Sequence, residues 1–299
     1  MNQIKISNEK YTFSLGDFDS GNKSQWCPGC GNFGIVMAIK KAIISLKINP
    51  KDVLIVSGIG CSSKTPHYIK TFGIETIHGR ALPVASGAKL ANKDLHVIVV
   101  GGDGDGYGIG IGHFIHAMRR NCNVTYIVHD NQIYGLTKGQ TSPTTRKGVK
   151  SVSTPNGSVE TPVNPMVLSL ASGATFIAKG FAGDIQQLSN LIENGIKHRG
   201  FSIIDVAQPC VSYNPNMSNS WYKERIVNIE QEENYNPKDK HWAYEIALKD
   251  QEEVIPTGIF YQSENDRETY IDDLPEDSIA LVKHDITNIN IDSELEKYE

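Results

Sequence analysis

The chain has 299 residues, of which 39% are apolar and 21% charged, with a net charge of −5. That is room for one large domain or two small ones, at the composition of an ordinary soluble globular protein. The charge excludes a broad basic field for nucleic acid or an anionic membrane, no apolar run approaches the length of a membrane span, and the polar start MNQIKISNEKYTFSLGDFD lacks the apolar core of a secretory signal. The expectation is a cytoplasmic protein whose partners include neither nucleic acid nor membrane.

Residues 1–23 read as a polar lead-in. Residues 31–47 repeat apolar residues at helical spacing: Phe33, Val36, Ile39, Ile43, Leu46. Asp52 to Ser57 is a short apolar run suited to a strand covered on both faces, and it ends in the turn Gly58-Ile59-Gly60-Cys61-Ser62-Ser63-Lys64. A helix is expected over 82–91, a strand over 95–100, a helix over 109–120 and a strand over 124–128. Residues 135–165 form a long polar connection, of a length that in a compact domain is usually functional or contacts a partner. A strand over 176–179, an amphipathic helix over 184–198 and a strand over 201–206 follow. Residues 231–299 are polar and acidic and read as an arm that packs on a partner or wraps the domain. Strand and helix alternate through 24–230, which makes the fold class α/β, a mainly parallel sheet flanked by helices.

Two strand ends carry oxygen-rich turns. One reads Gly102-Asp103-Gly104; 28 residues after its aspartate comes Asn131, within His129-Asp130-Asn131-Gln132-Ile133. Open α/β sheets bind ligands at such an edge. The glycines let backbone approach a phosphate. Asp103, the Asn131 amide oxygen and the Ile133 carbonyl supply three hard oxygens for Mg²⁺, which keeps substrate phosphates among its ligands. The pairing resembles the thiamine diphosphate signature.

Five cysteines in a chain of this kind argue against a disulfide framework. Cys27 and Cys30 form a Cys-x-x-Cys on a Pro-Gly turn. A dithiol site would want a preceding strand, and none is expected. Structural zinc would want a second local pair. An iron–sulfur cluster tolerates distant ligands, and Cys61 and Cys210 both follow strand ends at the edge that carries Asp103. Spacing alone leaves zinc and iron–sulfur open. Cys122, between a helix and a strand, reads as a buried thiol.

Five motifs occur in order: Trp26-Cys-Pro-Gly-Cys-Gly, Gly58-Ile-Gly-Cys-Ser, His78-Gly-Arg-Ala81, Gly102-Asp-Gly-Asp-Gly, and Asp130-Asn-Gln-Ile-Tyr-Gly-Leu-Thr-Lys-Gly-Gln-Thr-Ser-Pro143. Together, from about residue 24 to 225, they resemble the β subunit of the 2-oxoacid:ferredoxin oxidoreductases. The wording from Tyr134 to Pro143 and from Ser172 to Phe176 is most similar to bacterial 2-oxoglutarate forms. The resemblance implies thiamine diphosphate, Mg²⁺ and one [4Fe–4S] cluster, with Cys27, Cys30, Cys61 and Cys210 as cluster ligands. It implies Mg²⁺ on Asp103, Asn131 and the Ile133 carbonyl, and Gly104, Asp105, Gly135 and Leu136 along the diphosphate. It sets Ile59, Gly60, Cys61 and Ser62, with His78, Gly79, Arg80 and Ala81, along the cofactor.

Lys64 and Lys138 each lie a few residues beyond a cofactor turn. An ammonium there could meet a substrate carboxylate, and both count with His78 as catalytic candidates. The reaction implied is oxidative decarboxylation of a 2-oxoacid, 2-oxoglutarate to succinyl-CoA first, with coenzyme A and with electrons passing through the cluster to ferredoxin. Pyruvate or a broad 2-oxoacid range is the next reading, and the third is part of a non-redox thiamine decarboxylase. Thiamine enzymes need a glutamate from a pyrimidine-binding domain. This chain has no second strand–helix series to supply it; in the family it comes from the α subunit. The expectation is therefore an αβ or (αβ)₂ assembly, inactive without α.

Overall fold

The computed structural model describes residues 12–249, 253–264, 267–272, 279–285, 287 and 291–298. The first half runs α1 (Asn32–Ser45), β1 (Val53–Ser57), α2 (Thr65–Tyr68), β2 (Phe72–Glu75), α3 (Ala81–Ala91), β3 (His96–Gly102), α4 (Ile111–Arg119) and β4 (Thr125–Asp130). A short hairpin, β5 (Ile133–Tyr134) and β6 (Gln140–Thr141), precedes α5 (Pro165–Ser172), β7 (Phe176–Phe181), α6 (Ile185–Lys197) and β8 (Ser202–Ala207). Then come α7 (Asn219–Lys223), β9 (Ile226–Asn228), α8 (Lys240–Leu248) and β10 (Ile255–Gln262).

Eight strands form one sheet in the order β2-β1-β3-β4-β8-β7-β10-β9. From β2 to β7 all pairings are parallel. β10 runs antiparallel to β7, and β9 lies parallel to β10. Alternate strand residues feed opposite faces. Ile55, Val100 and Ile127 pack with Ile35, Ile39 and Ile43 of α1 and with Leu188 and Ile192 of α6. Leu54, Val56 and Val99 pack on the other face with Leu82, Phe114, Leu170 and Ala243, from α3, α4, α5 and α8. The α/β class with a mainly parallel, helix-flanked sheet is borne out, and the strands expected from apolar runs are there with ends moved by a residue or two.

Several elements escape the sequence reading. β2 is four exposed residues with no buried face to leave a pattern. α5 emerges from the end of the polar connection: the Asn164 side chain accepts from the N–H groups of Met166 and Val167, Pro165 opens the helix, and Gly173 closes it at φ 83°. Within the segment read as an arm, α8 buries Ala243, Ile246 and Ala247, and β10 is an interior strand of the sheet. Its apolar residues are diluted by charged neighbours, so average polarity hides them. Residues 1–11 of the lead-in and parts of the chain beyond 249 lie outside the described residues. Among the described residues no helix is long and apolar enough to cross a membrane.

Candidate functional site

Parallel strands aim their C-terminal ends at one edge. β1, β3, β4 and β8 deliver Gly58–Ser62, Asp103–Gly106, Asn131–Leu136 and Gln208–Cys210 there. A cavity of about 610 Å³ opens among them, within the usual range for a small-molecule site. Ile59, Gly60, Cys61 and Ser62 line it from the β1 turn, and His78 from the loop before α3. Asp103, Gly104 and Asp105 line it after β3; Asn131, Ile133, Gly135 and Leu136 after β4. Gly79, Arg80 and Ala81 stand outside the lining: Gly79 is bonded to Asp105, Arg80 precedes α3, and Ala81 is buried as its first residue. Lys64 and Lys138 do not line the cavity either. Lys64 sits in the turn before α2, where its charge helps lower the Glu75 carboxyl behind the His67 and Ser63 hydrogen bonds. Lys138 is exposed, at φ 75° in the β5–β6 turn.

The carboxylate of Asp105 is the hub of the edge. Its Oδ1 accepts from Ile59 N at 3.0 Å, Gly79 N at 2.8 Å and His78 Nδ1 at 2.9 Å. It thereby ties the β1 turn and the His78 loop to the β3 turn. Gly58 makes room for it, since a Cβ there would sit 1.9 Å from Asp105 Oδ2. Gly60 turns the chain at φ 146°, a backbone region that favours glycine. With Nδ1 of His78 donating to a carboxylate, Nε2 of the neutral ring is an acceptor.

Asp103 is held differently. It is 1% exposed; the hydroxyls of Ser142 and Thr144 donate to its carboxylate, and the Gly104 backbone N–H adds a further hydrogen bond. Thr144 Oγ1 also lies 2.7 Å from Asp130 Oδ1. Burial pushes the Asp103 carboxyl up to about 6, against the pull of its hydrogen bonds. Ser142 and Thr144 belong to the long polar connection; its length and hydroxyl content were the only signal of this role. Tyr134 packs over Gly104, where a Cβ would lie 2.2 Å from its ring, and its hydroxyl donates to the Gly104 carbonyl at 3.0 Å.

Asp103, Asn131 and Ile133 thus offer an oxygen-only donor set in one cavity wall, with a buried carboxylate that a divalent cation would relieve, and this fits Mg²⁺. Asn131 Oδ1 is oriented by the Ile133 N–H at 3.0 Å. Ser62 Oγ, His129 Nε2 and Gln208 Oε1 line the same cavity and are buried without a hydrogen-bond partner, as polar walls awaiting a polar ligand are. His129 and Gln208 were not picked out from the sequence. Burial takes the His129 ring down to about 3, so it is neutral, and its Nδ1 lies 2.7 Å from Asn32 Oδ1.

Four of the cysteines gather from three segments. Gly31 N donates to the Pro209 carbonyl at 3.3 Å, docking the Cys-x-x-Cys turn against the Cys210 segment. Trp26 Nε1 donates to the Cys61 carbonyl at 2.7 Å. A Cβ on Gly135 would lie 3.5 Å from Cys61 Sγ and 3.7 Å from Cys210 Sγ, so both sulfurs flank one glycine. Cys30 is pushed up to about 11, first by burial and then by the thiols of Cys210, Cys61 and Cys27. Among the described residues no three His, Cys, Asp or Glu side chains converge as a single-metal cage. A four-iron cluster takes one thiolate per iron, so its ligands surround a volume and do not meet at a point; the four cysteines fit that requirement. Cys122 is buried apart from them, in the α3–α4 core.

An α/β domain with this edge is a thiamine-binding domain of a known kind. Residues 58–206 match the family described as thiamine pyrophosphate enzyme, C-terminal TPP binding domain. Residues 210–277 match the family for the C-terminal part of the pyruvate ferredoxin oxidoreductase beta subunit. The 2-oxoacid:ferredoxin oxidoreductase subunit beta of Saccharolobus solfataricus is 47% identical over 251 residues, 81% of this chain and 82% of that one. The 2-oxoglutarate oxidoreductase subunit KorB of Mycobacterium tuberculosis is 41% identical over 217 residues, 71% of this chain and 58% of that one. A solved structure of the 2-oxoglutarate:ferredoxin oxidoreductase from Magnetococcus marinus, with 2-oxoglutarate, coenzyme A and succinyl-CoA bound, superposes with a TM-score of 0.89 at 34% identity, covering 99% of both chains. The chain belongs to the β subunits of the 2-oxoacid:ferredoxin oxidoreductases, as its five motifs led one to expect.

Proposed function

We propose that this chain turns 2-oxoglutarate into succinyl-CoA within an αβ or (αβ)₂ complex in the cytoplasm, and passes the electrons through a [4Fe–4S] cluster to ferredoxin. The observation that carries the reading is the shared edge: Asp103, Asn131 and Cys61 line one cavity. The substrate assignment is supported by the ligands of the Magnetococcus marinus structure and by the KorB relatives. Pyruvate or a broader range is the second reading, favoured by the relatives named only for 2-oxoacids.

Thiamine diphosphate supplies the electron sink that releases CO₂ from a 2-oxoacid, and an iron–sulfur cluster the one-electron outlet. The chain's own residues position and shield. Asp103, Asn131 and the Ile133 carbonyl would hold Mg²⁺, and Gly104, Asp105, Gly135 and Leu136 would flank the diphosphate. Ile59 to Ser62, with His78 to Ala81, would run along the cofactor, Gly79 to Ala81 through the backbone that Asp105 anchors. His78, fixed by Asp105, would present Nε2 to the reacting end. Cys27, Cys30, Cys61 and Cys210 would carry the cluster, with Cys61 between the two cofactors. The α subunit would supply the glutamate and close the cavity, with residues beyond 230 as a contact. Lys64 and Lys138 would meet substrate carboxylates from the rim. Lys64→Ala should then raise KM for dicarboxylic 2-oxoacids more than for pyruvate; equal changes would sink that role.

The test is an anaerobic spectrum with iron and sulfide analysis on the αβ complex, beside Cys210→Ala. About four irons and four sulfides per β chain, depleted in the variant, are expected. Zinc, or no metal beyond Mg²⁺, would leave a thiamine enzyme without ferredoxin chemistry, the non-redox decarboxylase reading.

A further inference from the structure

A buried amide joins the cysteine sulfurs to the cavity wall. Gln208, between β8 and Cys210, is 1% exposed. Its backbone N–H donates to the Asp130 carbonyl at 2.9 Å, which fixes where the side chain starts. Its Nε2 reaches two acceptors, Asn32 Oδ1 at 2.7 Å and Cys30 Sγ at 3.6 Å. The same Asn32 oxygen lies 2.7 Å from His129 Nδ1. Gln208 and His129 line the cavity. Gly31 makes the space: a Cβ there would fall 2.5 Å from Gln208 Cγ. The orientation of the amide follows from its neighbours. Turned over, its oxygen would face both the Asn32 oxygen and an electron-rich sulfur. As it stands, one hydrogen serves Asn32 and the second is left for Cys30.

We propose that Gln208 is a positioning residue for the redox half of the reaction, its buried N–H raising the electron affinity of the iron–sulfur centre held by Cys30. The proposal rests on the four-cysteine reading above. One-electron reduction adds negative charge to the centre and its thiolates. An N–H aimed at one sulfur stabilises that added charge, and hydrogen bonds to sulfur are among the determinants of cluster potential. In a buried site the effect is larger than in water. Ser212 provides the internal contrast. Its Oγ donates to Cys27 Sγ at 3.1 Å, but Cys27 is exposed, so water can take its place.

The test uses the assembled αβ complex. Gln208→Met keeps the length and removes the donor. Its one-electron reduction equilibrium should fall about tenfold, ~59 mV, at unchanged iron content, while Ser212→Ala shifts less. Pulsed EPR of the reduced wild type labelled with ¹⁵N-amide glutamine should show coupling to one side-chain nitrogen. That second measurement needs no variant to fold or to keep its iron. Full iron with an unshifted potential, or no ¹⁵N coupling in the wild type, overturns the proposal. Absence of iron from the wild type overturns the four-cysteine reading instead.

Discussion

The two sides of the edge are stabilised in opposite ways. On the oxygen side, the turns after β1, β3 and β4 are locked to each other through Asp105 and the hydroxyls of Ser142 and Thr144, all within protein hydrogen bonds. On the sulfur side, three segments are held by hydrogen bonds to backbone carbonyls, Gly31 N to Pro209 and Trp26 Nε1 to Cys61, and the sulfurs of Cys61 and Cys210 flank Gly135. A preorganised ligand cage needs little from its ligand to be ordered, whereas thiols such as Cys30 and Cys61, whose proton affinity burial raises, would gain from a cation that takes the place of their protons. The same contrast recurs two residues apart. Asp105 accepts two backbone N–H bonds and an imidazole and acts as a clamp. Asp103, bonded by two hydroxyls and the Gly104 N–H, has its carboxyl pushed up to about 6 by burial, and on the proposed reading it is the carboxylate that meets Mg²⁺.

Substitutions at each side should separate them. The largest effects are expected from Cys210→Ala and Asp103→Asn. The first should remove iron and ferredoxin-linked activity while thiamine diphosphate binding, followed by calorimetry, stays within a few fold. The second should weaken Mg²⁺-dependent thiamine diphosphate binding by about 100-fold or more, since even outer-shell changes cost 10–100-fold, with iron content intact. Loss of both properties in either variant would break the distinction. Asp105→Ala should couple the sides. It strands the N–H groups of Ile59 and Gly79, so denaturant unfolding should report a loss of ~3 kcal/mol, and both iron and cofactor occupancy should drop because Ile59 leads directly to Cys61.

Away from the edge, burial and then Lys89 hold His96 down at about 4. Its ring stays neutral in the folded chain while the unfolded chain takes up a proton near 6.5. Stability from this group is therefore present above about 6.5 and lost as pH falls toward 4, by up to ~3 kcal/mol. Thermal melts should show that decline, and His96→Gln should flatten it. The smallest effect is expected at Gly135. Its missing Cβ leaves ordinary contact distance to Cys61 and Cys210 sulfur, so Gly135→Ala should fold normally yet lower iron occupancy a few fold; full occupancy would show that the gap between the sulfurs is wider than the cluster uses.

Amphipathic periodicity and short apolar runs sufficed to read the strands from β1 to β8 apart from β2 and the short hairpin, because each is buried on both faces and leaves a local record. The turns were legible for the same reason: Gly-Asp-Gly, Asn-x-Ile and Cys-x-x-Cys put their chemistry within a few consecutive residues. Parallel connection then implied that Cys61, Asp103, Asn131 and Cys210 share an edge. What depended on distant partners was not legible. Nothing local distinguishes Asp105 from Asp103; only the approach of Ile59, His78 and Gly79 makes one a clamp. Nothing local joins Ser142 to Asp103, or Gln208 to Asn32 and Cys30, and nothing in a diluted acidic segment announces that β10 sits inside the sheet. The two lysines flank the right turns in sequence, yet the chain's path sets them outside the cavity lining. Local propensity and motif spacing are written along the chain, but the partners of a buried polar group are chosen by packing between segments far apart in sequence, and only the tertiary structure decides them.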